Sequence, residues 1–143
     1  MHWVAGSDHA GLELKLALVA KLRELGDDVL DVGTHDKASV DYPEFGADVG
    51  KRIAADASLR GLVVCGSGIG ISIAANKIHG VRCALCHDTY TATLAREHND
   101  ANIISMGARV IGGGVAEDAL LAFRSTGYLA GRHAKRVAML DRL

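Results

Sequence analysis

Two short stretches of this chain bring together residue types that move protons or hold anions. Gly6-Ser7-Asp8-His9-Ala10-Gly11 leaves the first apolar run with a carboxylate beside an imidazole. A pair of that kind entering a helix can bind a metal or handle protons, and Asp8 alone can cap the helix by accepting a backbone N–H. Cys65-Gly66-Ser67-Gly68-Ile69-Gly70-Ile71 follows another apolar run. Glycines on alternate positions let backbone N–H groups converge on an anion at a helix N-terminus. This is not a P-loop, which needs Lys-Ser/Thr at a fixed spacing. Nor is it the dinucleotide fingerprint, because Ile71 to Asn76 supplies no third glycine. Cys65 gives the loop its particular chemistry. A thiol at a strand tip, facing several N–H groups and a helix N-terminus, has its thiolate stabilised, which makes it a base beside an oxyanion hole. On local sequence alone an inert buried cysteine is an equal alternative.

Near the other end, Glu97-His98-Asn99-Asp100-Ala101-Asn102 closes a helical stretch, where His98 could act chemically or only interact with the helix dipole. Arg132 and Arg136 are four residues apart, so they share a helical face, with Lys135 alongside. Two guanidiniums on one face suit a phosphate, although a solvated basic face has the same pattern. Cys83 and Cys86 have C-x-x-C spacing inside Val81-Arg82-Cys83-Ala84-Leu85-Cys86, a strand pattern that points the two thiols to opposite faces. They are expected to pack rather than bind metal or exchange disulfides.

The elements that must position these residues follow from hydrophobic periodicity. Strands are expected at Trp3–Gly6, Val29–Val32, Leu62–Cys65, Val81–Cys86 and Ile103–Met106. Helices are expected between them. The first carries Leu12, Leu16, Leu18, Val19, Leu22 and Leu25 and closes at Gly26. The second starts at Pro43 and carries Phe45, Val49 and Ile53. Others cover Gly70–Ile78, Thr89–Asn99, Val115–Arg124 and Arg132–Leu140. Strand-helix alternation predicts an α/β fold over residues 1–143: a single-domain, doubly wound (Rossmann-like) five-stranded parallel sheet flanked by helices. In a 2-1-3-4-5 arrangement the ligand crevice lies between strands one and three, the two strands that carry the Asp8 and Cys65 loops.

Composition narrows the classes. A formal net charge of -1 argues against nucleic acid or a membrane surface as partner. With 17 glycines and one proline, the backbone is suited to approaching a ligand closely. The chain enters a strand directly and holds no apolar run of membrane-spanning length, so a soluble cytoplasmic protein is expected. Three cysteines do not read as a disulfide framework.

Taken together, six segments resemble the ribose-5-phosphate isomerase type B family, which includes the galactose-6-phosphate isomerase subunits. They are Gly6–Gly11, Ser39-Val40-Asp41-Tyr42-Pro43, Cys65–Gly70, Ala74-Ala75-Asn76-Lys77, His98–Asn102 and Met106-Gly107-Ala108-Arg109-Val110-Ile111-Gly112. The resemblance implies an aldose–ketose isomerase acting on a phosphorylated sugar. Cys65 would be the proton acceptor, and Gly66, Ser67, Gly68, Ile69 and Gly70 the loop that holds the enediolate. His98 would assist ring opening. Asp8 and Asn99 would contact sugar hydroxyls, and His9, Arg109, Arg132 and Arg136 the phosphate, with Tyr42 also at the substrate. It further implies no cofactor and no metal, and a homodimer or tetramer with the site at the dimer interface, His98, Asn99 and Arg109 coming from the neighbouring subunit. Ser67 stands where many members have Thr, and the atypical opening His2-Trp3 leaves the site untouched. A hexose 6-phosphate isomerase (allose or galactose 6-phosphate) and a non-catalytic phosphate-sensing module are the alternatives.

Overall fold

Each of the five apolar runs contributes to a strand of one parallel sheet. The computed structural model describes residues 1–143, in the order β1 (His2–Ser7), α1 (Leu12–Glu24), β2 (Asp28–Asp31), α2 (Tyr42–Ala55), β3 (Leu59–Cys65), α3 (Ile69–Asn76), β4 (Cys83–Leu85), α4 (Thr89–Asn99), β5 (Ile103–Gly107) and α5 (Gly113–Ser125). A 3-10 turn, Gly131–His133, then leads into α6 (Ala134–Leu140), so Arg132 lies in the turn rather than in the final helix. Alternate strand positions feed two cores. Trp3, Ala5, Leu62, Val64, Ile104 and Met106 pack with residues of α1, α4 and α5, while Val4, Val63, Cys65 and Ile103 pack with residues of α2 and α3.

The strand order is β2-β1-β3-β5-β4, which corrects the 2-1-3-4-5 arrangement. β5 pairs with β3 from Gly61↔Ile103 to Cys65↔Gly107, and β4 is left at the edge. Burial explains the swap: every residue of β5 is buried, whereas β4 is only three residues long and half-buried to exposed. A short strand is the cheaper one to leave at an edge. It is also shorter than the expected 81–86. Arg82 turns out to bond Asp100 and Asp141, and the Asn76 side chain takes both polar backbone groups of Cys83 at 2.8 Å. The crevice between β1 and β3 survives the correction.

The α1 periodicity needs one amendment. Leu16 and Leu25 are exposed, and Lys15 is as fully buried as Leu22. Its ammonium donates to Asp31 Oδ1 at 2.6 Å and to the Thr34 carbonyl at 2.7 Å, so the charge is paired where it is buried. Gly26, with φ of 82°, closes the helix as expected. In α2, Val49 and Ile53 are buried and Phe45 packs against them. Cys86 and Cys83 face opposite cores. Burial raises both thiols, Cys86 to about 11, which suits packing. No helix is long and apolar enough to cross a membrane.

Candidate active site

At the carboxyl ends of β1 and β3, the loops that follow have to turn from strand into helix. Asp8 is buried at the first turn. Its backbone N–H donates to the Val64 carbonyl at 3.3 Å, which docks this loop against the end of β3. The Asp8 Oδ1 accepts the N–H of Gly11 at 2.9 Å, and Gly11 is itself the N-cap of α1, so Asp8 closes the turn before the helix and is not its cap. His9 accepts the Val40 N–H at Nδ1, 3.2 Å away. A neutral imidazole that accepts at Nδ1 carries its proton on Nε2, so His9 has a donor left for a ligand.

Across the crevice, Cys65 ends β3 with its sulfur accepting the Gly68 N–H at 3.1 Å. This bond requires the chain to double back within three residues, and Gly68 makes the turn at φ of 77°, where a side chain would be strained. Ser67 Oγ accepts the Ile69 N–H at 3.2 Å, at the start of α3. The Tyr42 ring lies over Gly70 so closely that a Cβ there would stand 2.5 Å from it.

These groups surround an open cleft of about 690 Å³. Its walls include Asp8, His9, Tyr42, Cys65, Gly66, Ser67, Ile69, Gly70 and Arg109, together with Ala10, Ile73 and Val110. Gly68 is turned from the cleft toward Leu85 and Met106 and contributes its amide to the sulfur. Arg109 was expected from a neighbouring subunit, yet it lines the cleft of its own chain. The Ala108 and Arg109 N–H groups donate to the Cys65 and Gly66 carbonyls, both at 2.9 Å, and this ties the arginine to the loop. A thiol, a carboxylate, a neutral imidazole and a guanidinium thus share one crevice with helix-start amides. Such a set can remove a proton from carbon, take up the resulting negative charge and hold an anion. A larger hollow of about 860 Å³ lies at the amino ends of β1–β3. Its buried acid, Asp27, is already taken up by Arg124, Trp3 and Met1.

Besides Gly68, four expected site residues do not line the cleft: His98, Asn99, Arg132 and Arg136. His98 stacks face to face on His133, with ring centroids 4.1 Å apart. Arg132 Nε lies 3.4 Å from His133 Nε2. Burial holds His133 below its usual pKa, and the positive fields of His98, Arg132 and Arg136 add to that effect. This second cluster is therefore cationic around an imidazole biased toward neutrality. Sequence reasoning passed over His133, although its place between two arginines was a usable signal.

The sequence profile described as Ribose/Galactose Isomerase matches residues 4–140. The chain belongs to the ribose/galactose isomerase family. Within it, ribose-5-phosphate isomerase B of Escherichia coli (strain K12) is 42% identical over 132 residues, covering 92% of this chain and 89% of that protein. The solved structure of ribose-5-phosphate isomerase B from Clostridium thermocellum superposes with a TM-score of 0.96 at 44% identity, over 99% of this chain and 96% of that one. A ribose-5-phosphate isomerase B from Mycoplasma genitalium, solved with bound ribulose-5-phosphate, superposes with a TM-score of 0.95 at 31% identity, over 99% and 94%.

Proposed function

We propose that the chain interconverts ribose 5-phosphate and ribulose 5-phosphate through an enediolate, with Cys65 as the base. The observation that carries this reading is the Gly68 N–H held 3.1 Å from the sulfur of Cys65, which lines the same cleft as Asp8, His9 and Arg109. The open-chain aldose phosphate places C2–H at the thiolate. The C–H bond breaks, S–H forms, and the electron pair makes the C1=C2 bond while O1 becomes an oxyanion. The hydroxyl proton passes from O2 to O1, and the thiol returns its proton to C1. Carbon acids are weak, so the charge on oxygen needs the most help. One well-placed donor contributes about 3–4 kcal/mol to such a step. The unreactive phosphate supplies binding energy for positioning, with the His9 Nε2–H and Arg109 as donors from this chain.

Ring opening is assigned to His98, which lies outside the Cys65 cleft of its own chain. The proposal therefore includes a homodimer in which a second copy brings His98, Asn99, Arg132 and Arg136 to that cleft. Exposed apolar side chains on its rim, Ile69, Ile73, Tyr42 and Val110, support a partner surface there. The ribulose-5-phosphate bound to the Mycoplasma genitalium relative supports the substrate class.

The test is a coupled assay with ribose 5-phosphate, allose 6-phosphate and galactose 6-phosphate. The highest kcat/KM is expected for the pentose. Preference for a hexose would reassign the substrate, and a folded protein that turns over none of them would leave an anion-binding module. Cys65→Ala should lower kcat by about a thousandfold with sugar-phosphate binding retained. Near-normal turnover would remove the base assignment.

A further inference from the structure

Ser105 breaks an otherwise apolar run, Ile103-Ile104-Ser105-Met106, at a position that is completely buried. A buried hydroxyl needs a partner, and this one donates to the Gly68 carbonyl at 2.7 Å across 37 residues of sequence. The same carbonyl accepts the first bond of α3, from the Ser72 N–H at 3.3 Å. It forms part of a wider pattern. The Cys65 and Gly66 carbonyls are also taken up by the chain just beyond, through the Ala108 and Arg109 N–H groups. β5 and its extension thus hold three carbonyls of the Cys65 loop. Only one of those tethers is supplied by a side chain.

C=O and N–H point in opposite directions across a trans peptide. A Gly68 carbonyl fixed toward Ser105 therefore turns the Ile69 N–H away from β5, toward Ser67 Oγ in the cleft wall. Gly68 holds φ of 77° and ψ of -12°, a conformation glycine reaches without strain, and contacts to its two flanking peptides fix it there. One of these peptides carries the N–H that reaches the Cys65 sulfur.

We propose that Ser105 is a positioning residue for the isomerisation: its hydroxyl sets the Gly68 peptides so that their N–H groups face the Cys65 sulfur and the site of the developing oxyanion. The proposal rests on the Cys65 reading given above. The experiment follows Ser105→Ala in two ways, by steady-state kinetics with ribose 5-phosphate and by the pH dependence of Cys65 alkylation with iodoacetamide, scored by mass spectrometry on the Cys65 peptide. In a variant that melts cooperatively, kcat should fall about tenfold with KM held within about twofold. The alkylation midpoint should move to higher pH, because the thiolate has lost an aligned donor. Ser105→Thr, which keeps the hydroxyl, should restore both. An unchanged kcat and alkylation profile in folded Ser105→Ala would overturn the proposal, as would a loss confined to KM. Should Ser105→Ala not fold, Ser105→Cys fills the site with a weaker donor and is judged on the same criteria. The alkylation arm reads the sulfur directly, so a moved midpoint supports Ser105 even if Cys65→Ala were to remove the base assignment.

Discussion

The Cys65 sulfur and the His98 ring, to which the proposal gives different tasks, meet different surroundings. Cys65 is buried at the end of β3, and its sulfur accepts a main-chain N–H at 3.1 Å. His98 lies against a second imidazole that burial and nearby cations bias toward the neutral form. The proposal has this ring exchange a proton with a sugar oxygen beside the fixed cations of Arg132 and Arg136. His98→Asn should then spare the carbon chemistry. In D₂O a ketose phosphate should still exchange its C1 proton near the parent rate, while conversion of the cyclic aldose falls by about a hundredfold, both followed by proton NMR. Equal loss of the two would give His98 a part in the enediolate step as well. At this scale the cleft residues were legible in sequence because strand-loop-helix boundaries carry their own chemistry, as with Asp8 and Cys65. The His98–His133 stack was not, since it pairs rings 35 positions apart that only the packing of the last turn against α4 brings together.

Among the elements, the strands and most helices were legible because apolar spacing reports burial directly. Two features escaped it. The order of β4 and β5 depends on which strand is buried along its whole length, and two apolar runs of similar composition do not reveal that. Lys15 sits on the inner face of α1, where periodicity expects an apolar residue, because Asp31 and the Thr34 carbonyl complete an ionic site inside the fold. Removing one partner of such a pair leaves a buried charge and costs about 3–5 kcal/mol. Asp31→Ala should therefore lower the unfolding free energy in urea by that amount, and Lys15→Met with Asp31→Leu should recover much of it. A loss below about 1 kcal/mol, the range of an exposed pair, would mean that water reaches the lysine. A second clamp works at the amino end of the sheet, where Arg124 of α5 holds Asp27 with bonds of 2.6 and 2.9 Å. The Arg124 bonds, aided by the Met1 ammonium, lower the Asp27 carboxyl from 3.8 to about 2. A carboxyl lowered on folding stabilises the native state above its unfolded pKa, and that contribution is lost as pH falls from 3.8 through 2. Its upper bound is about 2 kcal/mol, reduced by the water that reaches Arg124 and Met1. Asp27→Asn should flatten the stability profile between those pH values. An unchanged slope would mean that other carboxyls drive the acid transition.

On the scale of the whole molecule, the residues expected at one site fall into two groups, one in the β1–β3 cleft and one around the His98–His133 stack. The proposed homodimer joins them by symmetry: in a two-fold assembly the cleft of each copy meets the second cluster of the other, so each complete site draws Cys65 from one chain and His98 from its neighbour. Neither sequence periodicity nor the packing of one chain contains that arrangement, which is why only the resemblance to the isomerase family pointed to it. Mixing experiments test it without a structure of the assembly. Cys65→Ala and His98→Asn are each expected to be nearly inactive on cyclic ribose 5-phosphate. When the two are unfolded together and refolded, random pairing makes about half of the dimers mixed. Each mixed dimer holds one site with both defects and one with neither, so activity should return to about a quarter of the parent level. Sites built within single chains have no such route, because every chain in the mixture carries a defect. Activity that stays at the sum of the two variants, in a mixture shown by native mass spectrometry to contain mixed dimers, would place His98 and Cys65 in service of the same chain.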